Sequence, residues 1–519
     1  MRRLGGVHSI GKEGIVLILC ILLGFALRYY AFDQKSLWVD EIHTFNDSRY
    51  DIKEQIKFYK ENPTYLQAPL FFVLTHLFYP FPKPERDLRI LPLIFGTLSI
   101  PMFYLLARLF SPAIAIPCTL SLTFMTYHVS LSQEARSYVF LMFTGMAGIY
   151  FLMKHLQTLK RRFLFPGAFC LSILVYLSYS SIPFIVFSQL LWFYRAEKNS
   201  RAPLVSSFFI FNGLILLFCA PWILFLAFHY KGQWMPQAFE VKAFFSFLDI
   251  LYGIFHDWVP YAPLMITSVI IFVLAPSVSE ERRNLLVLST IFLLPIVSLF
   301  AFCKFIKITH FLSSRYFIGF LPFFLINLYL SIHLLEFKWF IHRKRISLTF
   351  LFLFLFIATH LTILPLYYRS EKQDFRRLVA YLKAHLKEGD KIFDADRMLI
   401  GILHYFRVPT EGRYYVLDDW KVSENEVEYR KMFTYQNKHY TVYHSDRCCE
   451  TYLADGNRLW IISGTLDAKW LKGTTPVIFK GYFDGSFLNF ERFPVDASMY
   501  LFLLDPNSPN VREENILKN

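Results

Sequence analysis

The stretch "SLWVDEIHTF", Ser36 to Phe45, sets two carboxylates side by side, Asp40 and Glu41, a few residues after a long apolar run. Ionised groups that close to a membrane segment are costly unless a site uses them. Two further stretches carry complementary groups. "SLSQEARSYVF" places Glu134 two residues before Arg136, and "THFLSSRYFIGFLPFF" gathers His310, Arg315 and Tyr316, with Lys304 and Lys307 just upstream. Arg28 stands near the end of the first apolar run. A carboxylate can take a proton from a hydroxyl as general base. Arg and Lys can stabilise negative charge developing on a departing phosphate, Arg with two aligned donors. The set therefore suits displacement of a phosphate leaving group by a hydroxyl. Nothing resembles the GxxxxGK loop that cradles nucleotide phosphates, so ATP is not implied.

These residues need a scaffold that brings them to one place. The chain has 519 residues, of which 55% are hydrophobic, 19% aromatic and only 18% charged. With a mean hydropathy of +0.37, it reads as a polytopic α-helical membrane protein. Eleven apolar runs can be marked, at about 15–32, 88–107, 112–131, 138–153, 163–178, 182–194, 204–228, 259–276, 284–302, 316–335 and 346–366. The net charge of +14 comes from Lys and Arg in short loops, the pattern that sets membrane topology. No zinc-finger spacing, basic helix or basic tail points to nucleic acid. With the N-terminus in the cytoplasm, eleven crossings put every basic cluster inside: Arg108, Lys154 with Lys160–Arg162, Arg195 with Lys198 and Arg201, Arg282 with Arg283, and Lys338 with Arg343–Arg345. Asp40, Glu41, Glu134, Arg315 and everything after about residue 368 then face outward.

The first outer loop, about 33–87, is long and aromatic throughout, which argues for function over disorder. Its Pro69–Pro82 piece is apolar but too short to span, and reads as juxtamembrane or re-entrant. The outer loop at about 229–258, with Trp234, Phe244, Phe245, Phe247 and Trp258, reads as an interfacial lid. From 369 to 519 the composition changes. Leu378, Leu382 and Leu386 fall on one helical face, Gly389 follows, and then a strand; "RLWIISG", "TPVIFKGYF" and "SMYLFLL" read as later strands. The chain thus divides into a membrane domain, 1–368, and an outward-facing α/β domain, 369–519. The seven cysteines form no disulfide framework or CxxC pair. His43 and His76 read as local contacts, Trp38 as an interfacial anchor of the loop, and Asp374, Arg376 and Arg377 as groups fixing the C-terminal helix.

The stretches "LRYYAFDQKSLWVDE", "QAPLFFVL", "LRILPLIFGTLSIPMFYLLARLF", "SLSQEARSYVF", "APWILFLAF", "SSRYFIGFLPFF" and "KQDFRRLVAYL" occur in an order that resembles the GT-C membrane glycosyltransferases, in particular glycosyltransferase family 39. That family includes protein O-mannosyltransferases and lipid A aminoarabinose transferases. The resemblance covers about residues 27–382 and thins in the C-terminal domain. It implies a GT-C fold and an inverting transfer of a sugar from a polyprenyl-phosphate donor to a lipid, glycan or protein acceptor on the outer face of a bacterial inner membrane. It implies Asp40 as the base, with Glu41 beside it and Glu134 as the second acidic site. Arg136, Arg315 and Tyr316 would meet the lipid phosphate or sugar, and Arg28, His310 and Lys304 complete the cationic set. Gln67, Ala68 and Ser178 stand where many relatives carry His or an acidic residue, and use of a divalent metal stays open. The competing readings are a transporter of a lipid-linked substrate, which usually shows midplane charges and paired broken helices, and a non-catalytic membrane subunit.

Overall fold

In lipid, a backbone must satisfy its own N–H and C=O groups, so apolar runs fold as helices. The computed structural model describes residues 10–62, 66–194, 201–231, 246–305, 313–339, 347–395, 398–408, 412–413, 416–417, 420–422, 427–445, 456–464, 477–485 and 498–507. Among these, six helices are long and apolar enough to cross a membrane: Pro84–Phe110, Tyr138–Thr158, Leu204–His229, Arg282–Phe302, Ser314–Glu336 and Leu348–Arg369. Two bent pairs raise the number to eight if each is one span: Pro112–Phe124 with Thr126–Ser132, and Phe247–Trp258 with Ala262–Val278. The chain is an integral membrane protein.

The expected count of about eleven is higher than this. Leu164–Leu177 has 14 residues, about 21 Å at 1.5 Å each, against roughly 30 Å of hydrocarbon. The next run is broken into Ile182–Ser188 and a short 3-10 segment, Gln189–Phe193. The first run is the 20-residue helix Ile10–Tyr29, whose Ile15, Ile18, Leu22 and Phe25 are exposed. Hydropathy alone marks the two short runs without telling a full crossing from a partial one.

The 59° bend after Phe124 leaves the last carbonyls of one helix without intrahelical partners. Arg28, fully buried, supplies them. Its Nη1 donates to Thr123 O at 3.2 Å and its Nη2 to Leu122 O at 3.0 Å. His360 satisfies the other side, with its Nδ1 accepting from Thr126 N–H at 3.2 Å. Helix Ile90–Phe110 approaches the far end of this bend closely: a Cβ on Gly96 would stand 2.1 Å from Ser132 Oγ.

The long loop after the first helix is ordered by two short helices, Val39–Asp47 and Ile52–Glu61; Asp51 caps the second by accepting from Lys53 N and Glu54 N. In the Pro69–Pro82 piece, a six-residue helix, Leu70–Thr75, leads into a 3-10 turn, His76–Phe78. That is too short to cross, as expected. Of the proposed lid, Trp234, Phe244 and Phe245 lie outside the described residues, and Trp258 is fully buried.

After the last span come helix Phe375–His385 and strand β1, Lys391–Asp394, with Gly389 between them at φ +84°. The later strands are β2 (Gly412–Arg413), β3 (Val416–Leu417), β4 (Trp420–Val422), β5 (Val427–Tyr435), β6 (Lys438–Ser445), β7 (Leu459–Ser463), β8 (Val477–Phe483) and β9 (Met499–Leu504). Seven form a sheet in the order β4-β5-β6-β1-β7-β9-β8, with β1 parallel to β6 and β7. The composition changes near residue 368, but the packing crosses that point. Leu37, Ile42, Phe81, Leu88 and Ala135 share one core with Phe375, Leu378, Leu382 and Leu403.

Candidate functional site

Asp40 and Glu41 lie in the first turn of helix Val39–Asp47, where free N–H groups favour negative charge. Adjacent on a helix, they point apart and meet different partners. The Glu41 carboxylate is buried and saturated. Arg89 grips it in bidentate fashion, Nε to Oε1 at 2.7 Å and Nη2 to Oε2 at 2.6 Å. Backbone N–H groups of Ala135 (2.7 Å) and Trp38 (3.3 Å) add two more bonds. Arg89 also donates to the carbonyls of Phe32, Lys35 and Ser36, each at 3.0 Å. Glu41 and Arg89 thus pin this loop to the head of helix Ile90–Phe110 and to the turn that holds Glu134. Nothing in the type or spacing of Arg89 separated it from other interfacial arginines.

Asp40 is the more open carboxylate, its side chain 26% exposed, with Arg315 Nη1 3.5 Å from Oδ2. Arg136 Nη1 donates to Asp40 O at 3.3 Å and to Thr44 Oγ1 at 3.4 Å. Glu134 is nearly buried and pairs through Oε2 with Lys372 Nζ at 3.0 Å. Trp38 joins the two ion pairs: Lys372 Nζ lies 3.4 Å above its ring centroid and Arg315 Cζ lies 5.1 Å away. Tyr138 and Tyr316 rings flank Arg315 at 5.9 and 5.7 Å. Ser314, the residue before Arg315, donates to Asp257 Oδ2 at the end of helix Phe247–Trp258. Asp40, Glu134, Arg136, Arg315 and Tyr316 are therefore neighbours. Lys372, Asp257 and Tyr138 join them without having been singled out in the sequence.

Other expected members lie elsewhere. The terminal nitrogens of Arg28 bond to Gly24 O, Leu122 O, Thr123 O and, at 2.8 Å, His128 Nδ1, so it supports the helix break. Lys304 is an exposed cation in the last turn of helix Arg282–Phe305, 5.9 Å from the Phe300 ring centroid. His310 lies outside the described residues. Among the described residues no group of three or more His, Cys, Asp or Glu could hold a metal ion.

Electrostatics favour an ionised Asp40. Burial alone would raise its carboxyl, but Arg136 and Arg315, with Lys372, outweigh it and hold the group below the ordinary aspartate value. Burial also pushes His43 down to about 3, against the pull of Asp40, which leaves the imidazole neutral near pH 7. A depressed carboxylate adds stability above its unfolded value and loses it as pH falls through the folded value. Were this carboxylate to serve as a base, the same sign would apply. The acid limb of the activity profile is expected below about pH 4, the ordinary aspartate range. A limb between about pH 5 and 7 in kcat/KM would assign the proton transfer to another group.

No family model matches the chain, and no curated protein matches it. Among solved structures it is similar to ArnT from Cupriavidus metallidurans in the apo state, at a TM-score of 0.49 and 10% identity over 77% of this chain and 85% of that one. It is also similar to ArnT from the same organism bound to undecaprenyl phosphate, at a TM-score of 0.48 and 11% identity over the same shares.

Proposed function

We propose that the chain is a glycosyltransferase that moves a sugar from a polyprenyl-phosphate donor to a lipid, glycan or protein acceptor at the outer face of a bacterial inner membrane. The observation that carries the reading is the convergence of Asp40, Glu134, Arg136, Arg315 and Lys372 around Trp38, at the bundle end where the last span leads into the C-terminal domain. The ordered stretches of the family-39 pattern add to it.

In the proposed reaction, Asp40 Oδ takes the proton of the acceptor hydroxyl. The acceptor oxygen forms a new bond to the anomeric carbon from the face opposite the phosphate. The anomeric carbon–phosphate oxygen bond breaks, and its electron pair leaves on the polyprenyl phosphate. Arg315, with Arg136, stabilises that charge in a partly desolvated setting where fixed cations count for more than in water. Glu41, held by Arg89, positions the helix turn that carries Asp40.

The test is mass spectrometry of membrane lipids and glycans from cells with and without the gene. A glycan lost on deletion, and restored by the intact chain with release of polyprenyl phosphate from a purified donor, is the expected result. Uptake of a lipid-linked sugar by vesicles with no chemical change would replace the reading with transport.

A further inference from the structure

Lys372 reaches the site from the segment that links the last span to the C-terminal domain. That segment is strapped to the outer loop. Ser36 N–H donates to Glu371 Oε2 at 3.0 Å, Val39 N–H donates to Gln373 Oε1 at 2.9 Å, and Ser36 Oγ donates to Gln373 O. The strap holds the Lys372 ammonium over Trp38, its side chain one-third exposed; among the described residues its ion-pair partner is Glu134. Glu134 is 9% exposed, and its second oxygen, Oε1, is buried without a hydrogen-bond partner. The cation can therefore turn towards a ligand, whereas the carboxylate cannot follow it.

Both outer ion pairs share one logic. Arg315 neutralises Asp40 and Lys372 neutralises Glu134, yet the cations are the groups a phosphate would want. We propose that Lys372 is a further donor-binding residue, held in the resting chain by Glu134, and that the donor's phosphate takes its ammonium over from that carboxylate. The inference rests on the polyprenyl-phosphate reading above. It makes Glu134 a competitor of the donor phosphate for one cation, and it makes the strap of the C-terminal domain part of the donor site. Donor binding then strips cations from the carboxylates just before a base is needed, so the donor binds first and the acceptor second.

The experiment titrates the purified full-length chain in nanodiscs with undecaprenyl phosphate, and with uncharged undecaprenol as control. Lys372→Gln is expected to weaken binding roughly tenfold, as for loss of one charge-assisted contact, and Lys372→Arg to stay close to wild type. Glu134→Gln is expected to tighten binding by about threefold or more, because it raises the fraction of chains with the ammonium free. A purely structural ion pair would weaken binding in both single variants, so the opposite signs separate the two roles. Glu134→Gln also keeps the test open if Lys372→Gln folds poorly. Unchanged affinity in Lys372→Gln, or weakened affinity in Glu134→Gln, overturns the inference. Wild-type chain that binds undecaprenol as well as undecaprenyl phosphate overturns the donor reading itself.

Discussion

Asp40→Asn is expected to lower the transfer rate by about 10²–10⁴-fold, the usual worth of a positioned general base, while the fold survives. The geometry separates these two effects. The Asp40 side chain is partly open and its ion pair to Arg315 is long at 3.5 Å; exposed or loose pairs contribute little stability. Its backbone carbonyl, which meets Arg136 and Thr44, is retained in the variant. Asn keeps the volume and can still face Arg315, but it cannot accept the hydroxyl proton. The measurement is release of polyprenyl phosphate by purified wild type and variant, with thermal unfolding in detergent run beside it. Full activity in Asp40→Asn would remove Asp40 as the base. A lost activity accompanied by a large loss of stability would make the residue structural.

Arg89→Met is expected to do the opposite: a loss of about 3–5 kcal/mol of stability, the range for breaking a buried ion pair from one side. Arg89 and Glu41 have side chains only 3% and 2% exposed. The variant leaves the Glu41 carboxylate with two backbone N–H donors and no countercharge. It also strands the carbonyls of Phe32 and Ser36 and leaves the Lys35 carbonyl with Arg376 alone. Arg89→Met with Glu41→Leu removes the uncompensated charge, so the double variant should regain part of the loss, and the two changes should be non-additive. Thermal unfolding of the three variants measures this. An Arg89→Met chain that unfolds within about 2 °C of wild type would mean the pair adds little beyond what apolar packing supplies.

These two variants bear on neighbouring carboxylates that look equivalent in "VDEIH". Their difference comes from the helix Val39–Asp47, which turns Glu41 inward onto Arg89 and leaves Asp40 at the opening. The C-terminal region shows the same contrast between local and distant information. Its amphipathic helix and strands β1, β7, β8 and β9 are visible in the residue pattern. The β5–β6 hairpin, "VEYRKMFTYQNKHYTVYHS", carries a weaker local pattern. Its aromatic residues are interrupted by charges, and its turn uses Gln436 and Asn437 at positive φ, a less emphatic signal than Asn-Gly.

By itself the sequence determined the helical membrane class, the runs that become helices and the change of character near residue 368. Those follow from hydropathy, periodicity and loop charge, all properties of short windows. Only the tertiary structure decided which charge meets which. Glu134 finds Lys372 across 238 residues, Glu41 finds Arg89 across 48, and Arg28 serves a bent helix 94 residues away. The choice of partner depends on which loops the packed helices deliver to one end of the bundle, and on how much water is left there. Neither quantity is a property of any single segment.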